Sequence, residues 1–451
     1  MRVLVVGLGV TGEAVVAQRA SAGDEVTVIE DRPGATDEWG GRAARARELG
    51  ATLVEEPTAE HAAALGAAAD LVVPSPGVAE RHPAIAGARR HGVAVRSEVD
   101  LAADVVGAPP IIAITGTNGK TTVTTLTTAI LEASGIRAGA AGNIGRPLID
   151  AIHDDVDVVV AEVSSFQLAF TERFAPRAAA LLNLGADHLD WHCTFDAYAH
   201  AKARVFSRQG PGDLLVFNAD DPVVAGLAAG APGRRVPFSV TPGAADGARV
   251  VDTTRGPLLV DAGGEELARV DELRSARPVD LANVLAASVL ARDLGARIDA
   301  THDVIVGFSG LPHRMALVAE HDGVRWVDDS KATNVHATVA AVRGLAQAVL
   351  IAGGRNKGVD LRALGDLAPS LRAVVAIGEA AGELEEAFTG RVPVVRATSM
   401  RAAVAAASEL AAPGDTVLLS PACASFDWYS SYAARGDDFA REVRALVEVH
   451  R

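Results

Sequence analysis

Residues 111–122 read Ile111-Ile112-Ala113-Ile114-Thr115-Gly116-Thr117-Asn118-Gly119-Lys120-Thr121-Thr122. An isoleucine-rich run has the pattern of a buried strand, a glycine-bearing turn follows, and 121–134 then carries helical spacing. A strand, a Gly-Lys-Thr turn and a helix in this order read as a phosphate-binding P-loop. Backbone N–H groups cradle phosphates, the lysine offsets their charge, and the threonine hydroxyl is a hard-oxygen donor for magnesium. The general spacing asks for glycine at 114, where Ile114 stands; Gly116 supplies flexibility two residues later. The turn predicts a nucleotide held by Gly116, Thr117, Asn118, Gly119, Lys120, Thr121 and Thr122, with Thr121 as a metal ligand.

The same β/α rhythm extends in both directions. Upstream, 2–6 and 25–29 read as buried strands, and Gly7-Leu8-Gly9-Val10-Thr11-Gly12 follows the first of them, with helical spacing after Gly12. Glu30 and Asp31 end the second strand, close to the acidic position of a dinucleotide fingerprint, and Ser75-Pro76-Gly77 follows a third apolar run at 71–73. These glycines predict a dinucleotide or diphosphate site; the plainer alternative is close packing of strand on helix. Gly107-Ala108-Pro109-Pro110 marks a boundary. Downstream, 156–162 and 178–183 read as strands, 236–267 as a small antiparallel insertion, and 280–294 as a helix. Beyond Gly307–Pro312, strands at 348–352, 373–377 and 416–419 alternate with helices at 401–409 and 437–448. The expected fold is α/β with three domains in series. They are a Rossmann-like domain over 1–108, a P-loop ATPase-like domain with a mostly parallel sheet over 109–310, and a second Rossmann-like domain over 311–451.

Composition narrows the function. The chain has 451 residues, with 42 Lys plus Arg against 57 Asp plus Glu, a net charge of −15. An acidic chain is poorly suited to nucleic acid, whose phosphates require a basic surface. Only Cys193 and Cys423 occur, too few for a disulfide scaffold and in keeping with a reducing compartment. No apolar run reaches membrane-spanning length. Residues 1–22 combine an apolar run with Ala20-Ser21-Ala22, yet Glu13 and the glycines favour strand–turn–helix over a signal peptide. A cytoplasmic location is expected.

Further motifs follow the Lys120 turn in order: Glu162-Val163-Ser164-Ser165-Phe166-Gln167-Leu168, Asn183-Leu184-Gly185-Ala186-Asp187-His188-Leu189-Asp190, Leu311-Pro312-His313-Arg314, Asp328-Asp329-Ser330-Lys331-Ala332-Thr333-Asn334, and Ser420-Pro421-Ala422-Cys423-Ala424-Ser425-Phe426-Asp427. Over essentially the whole chain this series resembles the Mur ligase family, whose ATP loop is shared with folylpolyglutamate synthases. The 164–168 and 420–425 stretches resemble its D-glutamate-adding members.

The resemblance implies ATP as co-substrate and two Mg²⁺ ions. Glu162 would hold the metal that bridges the β- and γ-phosphates, and His188 the second. Lys202 would be carbamylated, turning a cation into a carboxylate-like ligand. Asn283, Arg314 and Asp329 would surround adenine, phosphates and ribose, although Asp280 stands where the family can have another asparagine. Val10 and Thr11 would approach the UDP diphosphate, with Glu30, Asp31, Ser75, Pro76 and Gly77 near uridine and ribose. Asn143, Ser164 and Gln167 would meet the muramoyl-peptide end. Lys331, Thr333, Lys357, Ser425, Phe426 and Tyr432 would receive D-glutamate; Phe426 and Tyr432 depart from the family's usual residues. Asp187 or His188 would position or deprotonate the incoming amine, and Cys423 would serve packing. The implied substrates are UDP-N-acetylmuramoyl-L-alanine and D-glutamate, joined through an acyl phosphate by a monomer. The rival readings are another Mur-type amino-acid ligase, an NAD-dependent oxidoreductase resting on Gly7–Gly12, and a P-loop ATPase motor. The last two each leave one glycine turn unexplained.

Overall fold

The computed structural model describes residues 1–34, 39–244, 246–343 and 345–449. Three sheets follow one another, and the chain packs as two compact units, Met1–Leu184 with Asp196–Phe308 and Gly185–Phe195 with Ser309–Arg451.

The first unit opens with β1 (Arg2–Val6), β2 (Glu25–Glu30), β3 (Thr52–Glu55), β4 (Leu71–Pro74) and β5 (Ala94–Val95), in the order β3-β2-β1-β4-β5 with every pairing parallel. Val3, Leu4, Val5 and Val6 are all buried, so both faces of β1 are covered, as its unbroken apolar run implies. The next helix spans Val10–Ser21, beginning before Gly12 rather than after it. Gly9 is its N-cap, and Gly12 lies in its first turn, where a β-carbon would stand 2.1 Å from Gly7 O. Helical spacing alone hid this, because the first turn is itself glycine-rich.

The second sheet of this unit comprises β6 (Ile111–Thr115), β7 (Ala138–Gly142), β8 (Val158–Glu162), β9 (Ala178–Leu181), β10 (Leu214–Asn218), β11 (Arg234–Ser239), β12 (Ala248–Thr253), β13 (Gly256–Val260) and β14 (Glu266–Arg269). Their order is β14-β13-β12-β11-β10-β9-β6-β8-β7. Residues 236–267 are not a separate insertion. β11 and β12 continue the parallel sheet, and only β12–β13 and β13–β14 pair antiparallel. Short Gly- and Pro-bounded runs look alike in either setting; pairing partners decide, and they lie outside the segment. Ile112 and Ile114 pack with Val123, Leu126 and Ile130 of helix Lys120–Ala133 and with Leu285 and Leu290 of helix Pro278–Asp293. Truncating one such leucine to alanine costs about 2–5 kcal/mol.

The two sheets are knitted through the segment after β5. The buried Asp100 carboxylate accepts the backbone N–H groups of Glu172 (3.0 Å), Arg173 (2.7 Å) and Phe174 (2.7 Å), and pairs with Arg96.

The second unit holds β15 (Ala316–His321), β16 (Val324–Asp328), β17 (Ala348–Gly353), β18 (Leu371–Ile377), β19 (Val394–Arg396) and β20 (Thr416–Leu419), ordered β15-β16-β20-β17-β18-β19. Only β15–β16 is antiparallel. One face buries Leu350, Val374, Leu384 and Phe388, the other Trp326, Val349, Ile351 and Phe439. The last helix starts at Tyr432, earlier than expected, because Ser431 Oγ accepts the Ala434 N–H at 3.1 Å and caps the turn. Among the described residues, no helix is long and apolar enough to cross a membrane.

Candidate active site

The first glycine turn is held from two sides. Gly7 has φ +89°, a conformation that side chains resist, and Ser75 Oγ donates to its carbonyl at 2.6 Å. Glu30 accepts the Leu8 N–H at 2.9 Å and the Arg32 N–H at 3.1 Å, so its carboxylate braces the turn. Asp31 pairs with His82 Nε2 at 3.0 Å. A cavity of about 270 Å³ opens above this turn. Gly9, Val10, Thr11, Ser75 and Pro76 form one wall; Asn143 and Gln167, brought from the second sheet, form the other. Six expected substrate residues thus share one cavity, whereas Glu30, Asp31 and Gly77 do not line it. Ser164 stands one bond behind the cavity. Its Oγ accepts the Gln167 N–H at 3.2 Å, and its own N–H donates to Gln167 Oε1 at 2.8 Å, a reciprocal helix cap.

The Lys120 turn follows β6 and ends at Gly119, which has φ +86° and caps helix Lys120–Ala133. A β-carbon at 119 would lie 2.4 Å from Asn283 Oδ1, so Asn283 stands directly beside the loop. Lys120 Nζ curls over the turn, 3.0 Å from both Gly116 O and Thr117 O. Thr121 Oγ1 donates to Glu162 Oε2 at 2.8 Å, and Asn143 Nδ2 donates to Glu162 Oε1 at 2.8 Å. Thr122 is buried in the helix's first turn. Lys202 is buried, with Nζ 3.4 Å from Thr115 Oγ1 and 4.9 Å from the Tyr198 ring centre.

Thr121 and Glu162 suit a magnesium ion: they are two hard oxygen donors, already adjacent, at a helix N-terminus whose N–H groups also suit phosphate. Magnesium in nucleotide sites keeps several waters and takes phosphate oxygens. The lack of a cluster of three His, Cys, Asp or Glu among the described residues is therefore no obstacle.

In the second unit, Asp187 and His188 lie in the 185–195 segment. Asp187 is buried and pairs with Lys357 Nζ at 2.5 Å, while Asn334 Nδ2 donates to its other oxygen at 3.1 Å. His188 adopts φ +52°, and its N–H donates to Asp187 Oδ1 at 2.9 Å. Lys331 Nζ stands 3.8 Å from the Tyr432 ring centre, and the Thr333 N–H donates to Lys331 O at 2.8 Å. Ser425 is buried, whereas Phe426 is 62% exposed. Arg314 sits half-buried between His313 and Met315, both at positive φ. Asp329 spends its oxygens on Ser420 Oγ at 2.9 Å and the Met315 N–H at 3.2 Å. Burial pushes the Cys423 thiol up to about 12, which suits packing rather than nucleophilic work.

Several residues that hold this machinery escaped sequence reasoning. Asn183 clamps the loop: its Oδ1 accepts the Asn118 N–H at 2.8 Å and its Nδ2 donates to Asn118 O at 3.0 Å. Tyr198 OH meets Thr117 Oγ1 at 2.9 Å. The buried Arg435 guanidinium bonds Ser330 Oγ at 3.0 Å, Ser330 O at 2.9 Å and Cys423 O at 3.2 Å, tying the Lys331 and Ser425 turns together. Burial lowers its pKa to about 10. Asn183 stood inside a quoted motif, so its position after a strand was an available signal; Arg435 offered none.

Family models match three stretches of the chain. Residues 1–97 match the Mur ligase MurD-like N-terminal domain, 114–290 the Mur ligase middle domain, and 313–423 the Mur ligase glutamate ligase domain. The UDP-N-acetylmuramoylalanine–D-glutamate ligase of Frankia casuarinae is 46% identical over 98% of this chain and 94% of its own. That of Myxococcus xanthus is 42% identical over 99% and 98%. In fold, a pseudomurein peptide ligase type C from Methanothermus fervidus aligns over 99% of both chains at a TM-score of 0.60 and 17% identity. MurF ligase from Thermotoga maritima aligns over 100% of this chain and 95% of its own, also at 0.60, with 16% identity. The chain belongs to the Mur ligase family, among the UDP-N-acetylmuramoylalanine–D-glutamate ligases.

Proposed function

We propose that the chain joins D-glutamate to UDP-N-acetylmuramoyl-L-alanine with hydrolysis of ATP, an amide-forming step of peptidoglycan precursor synthesis. One observation carries the residue assignment. Asn143 lines the cavity and bonds Glu162, and Glu162 bonds Thr121 of the phosphate loop. This unbroken line runs from the UDP-sugar wall to the triphosphate turn, as transfer of a γ-phosphate to the sugar's terminal carboxylate requires.

In this reading, residues 1–108 bind the UDP-sugar, with Val10 and Thr11 offering a helix N-terminus to the diphosphate. Ser75 and Glu30 keep the turn in shape. Residues 109–310 bind ATP. The N–H groups of 116–122 receive its phosphates, Lys120 offsets their charge, and Asn283 faces the loop. Thr121 and Glu162 would hold magnesium, and His188 and a carbamylated Lys202 would each offer a further metal ligand. Bound magnesium supplies the charge neutralisation that a carboxylate and a triphosphate need to approach one another. Residues 311–451 take D-glutamate through Lys331, Thr333, Lys357, Ser425 and Tyr432. The alanyl carboxylate attacks the γ-phosphorus, ADP leaves, and the D-glutamate amine displaces phosphate from the resulting acyl phosphate. Asp187, which accepts from Lys357 and Asn334, orients the groups that receive that amine. The protein acts in this scheme as a monomer.

The test is phosphate release with ATP, Mg²⁺ and UDP-N-acetylmuramoyl-L-alanine while amino acids are scanned. Selective stimulation by D-glutamate is expected. Equal stimulation by L-glutamate, or no stimulation at all, refutes the assignment.

A further inference from the structure

Glu98 is a carboxylate that the scheme above does not use. It sits at the start of helix Glu98–Ala102, just after the first sheet, and is 1% exposed. Its two oxygens each accept one hydrogen bond. The backbone N–H of Ile149 donates to Oε2 at 3.0 Å, and Gln167 Nε2 donates to Oε1 at 2.8 Å. Gln167 is a cavity-lining residue, and the helix containing Ile149 follows Pro147, another lining residue. Glu98 therefore stands behind two parts of the cavity wall at once.

The bonding polarity is fixed. The Ser164 backbone N–H can only donate, so the Gln167 atom 2.8 Å from it is the amide oxygen. Ser164 Oγ lies 2.9 Å from the same oxygen. One N–H of the Gln167 amide goes to Glu98, and the second hydrogen is what Gln167 can offer to a ligand. A neutral Glu98 breaks this pattern, because its O–H would face two groups that only donate. The amide would have to flip, setting its NH₂ against the Ser164 N–H. The arrangement is consistent only with ionised Glu98.

We infer that Glu98 is a positioning residue for the UDP-sugar: its carboxylate holds the Gln167 amide with a donor toward the peptide end of the ligand. This inference rests on the proposed function, since it takes UDP-N-acetylmuramoyl-L-alanine as the occupant of the cavity. The ligand groups that match are acceptors, a lactyl or alanyl carbonyl or the terminal carboxylate. The other charged groups nearby are Asp150, on the helix carrying Ile149, and Asp100 with its partner Arg96 on Glu98's own segment. Helix Ser165–Ala169 carries no titratable side chain.

Desolvation lifts the Glu98 carboxyl to about 7, opposed by its two hydrogen bonds. The sugar-linked diphosphate and the alanyl carboxylate are fully ionised well below that, so any change of affinity near neutrality belongs to the protein. Binding of UDP-N-acetylmuramoyl-L-alanine to the full chain is measured by calorimetry without ATP, at about pH 8 and about pH 6. Wild type is expected to weaken about tenfold, because a group titrating near 7 falls from about nine-tenths to about one-tenth ionised. Glu98→Gln cannot satisfy both donors; it is expected to bind about tenfold more weakly at the higher pH, to lose the pH dependence, and to keep its KM for ATP within about twofold. A variant that binds like wild type, or wild-type binding flat between the two pH values, overturns the inference. The wild-type measurement decides alone if the variant does not fold. If wild type does not bind the UDP-sugar at all, the proposed function falls and the inference with it. Binding that ignores both pH and Glu98→Gln overturns the inference only.

Discussion

Gly9 and Gly12 belong to one six-residue turn but do different work, and a pair of alanine substitutions separates them. At Gly12 a β-carbon would lie 2.1 Å from Gly7 O and 2.9 Å from Ser75 Oγ. Normal carbon–oxygen contact is about 3.2 Å, so the helix must retreat by roughly 1 Å or the turn must open. Overpacking of this kind costs about 1–3 kcal/mol, and displacing Ser75 from Gly7 O adds about 1 kcal/mol. Gly12→Ala should therefore lose about 2–4 kcal/mol of stability in denaturant unfolding. At Gly9 a β-carbon meets nothing within 4 Å and φ is −77°, so alanine fits the protein. The position lines the cavity, however, and the added methyl occupies space a diphosphate needs to reach the helix N-terminus. Gly9→Ala should lose no more than about 1 kcal/mol of unfolding free energy, the cost of alanine in place of glycine at a helix N-cap. Its KM for the UDP-sugar should rise at least about tenfold, the equivalent of about 1.4 kcal/mol. KM for ATP should be unchanged in Gly9→Ala, since the Lys120 turn is on another sheet. Equal stability of the two variants, or normal UDP-sugar affinity in Gly9→Ala, would refute this division of labour.

Four further outcomes can be checked. Lys202→Ala should lose activity by at least about a hundredfold, as for loss of a group stabilising charge in the transition state, and recover part of it with a short-chain carboxylic acid; no recovery counts against carbamylation. Asn183→Ala removes both bonds to Asn118, about 1 kcal/mol each, so KM for ATP should rise by one order of magnitude or more while UDP-sugar binding by calorimetry holds. Lys357→Arg keeps the charge but brings a wider, forked group to Asp187; KM for D-glutamate should rise at least about fivefold, and an unchanged KM would refute a compact ammonium as the requirement. Because Glu98 titrates near 7 in the fold against an ordinary 4.5, its neutral form is favoured by folding. That contribution is complete below about pH 4.5 and is lost as pH rises through about 7, so the stability advantage of wild type over Glu98→Gln should shrink from low to high pH in parallel unfolding curves.

The β/α succession was legible because each parallel strand is buried on both faces and announces itself as an apolar run, as Val3–Val6 and Val158–Ala161 do. The phosphate loop was legible because its chemistry is local: Gly119, Lys120 and Thr121 are neighbours in sequence and at the site. The 185–195 segment was not, since nothing in Gly185–Phe195 says that it packs with residues more than a hundred positions later. Glu30 has a second task that its sequence position did not announce: its oxygens accept the Leu8 and Arg32 N–H groups and so brace the glycine turn. Glu98 lay beyond sequence reasoning because its partners, Ile149 and Gln167, come from two later elements, and a carboxylate before a helix usually reads as solvent-facing.

The acidic balance poses a physical problem that the distribution of cations resolves. A chain of net charge −15 must hold ATP, a UDP-sugar and a dicarboxylic amino acid, all anions. Of its 42 basic residues only four are lysines, Lys120, Lys202, Lys331 and Lys357. The arginines supply the general surface charge, and many are spent on carboxylate partners, as in Arg137–Asp157, Arg362–Asp360 and Arg396–Glu385. Each lysine instead has a specific setting: over the loop carbonyls, against Tyr198, against Tyr432, and on Asp187. Arginine is always protonated and presents a planar fork, whereas lysine is a compact charge on a flexible stem whose amine can lose its proton. Lys120 presents a compact ammonium to the carbonyls of its turn, and only an amine can carry the carbamate proposed for Lys202. The four lysines are therefore the positions at which a requirement for size, reach or amine chemistry is to be tested. Bulk charge can therefore stay acidic while affinity for anions is built at Lys120, Lys331 and Lys357 and at two helix N-termini.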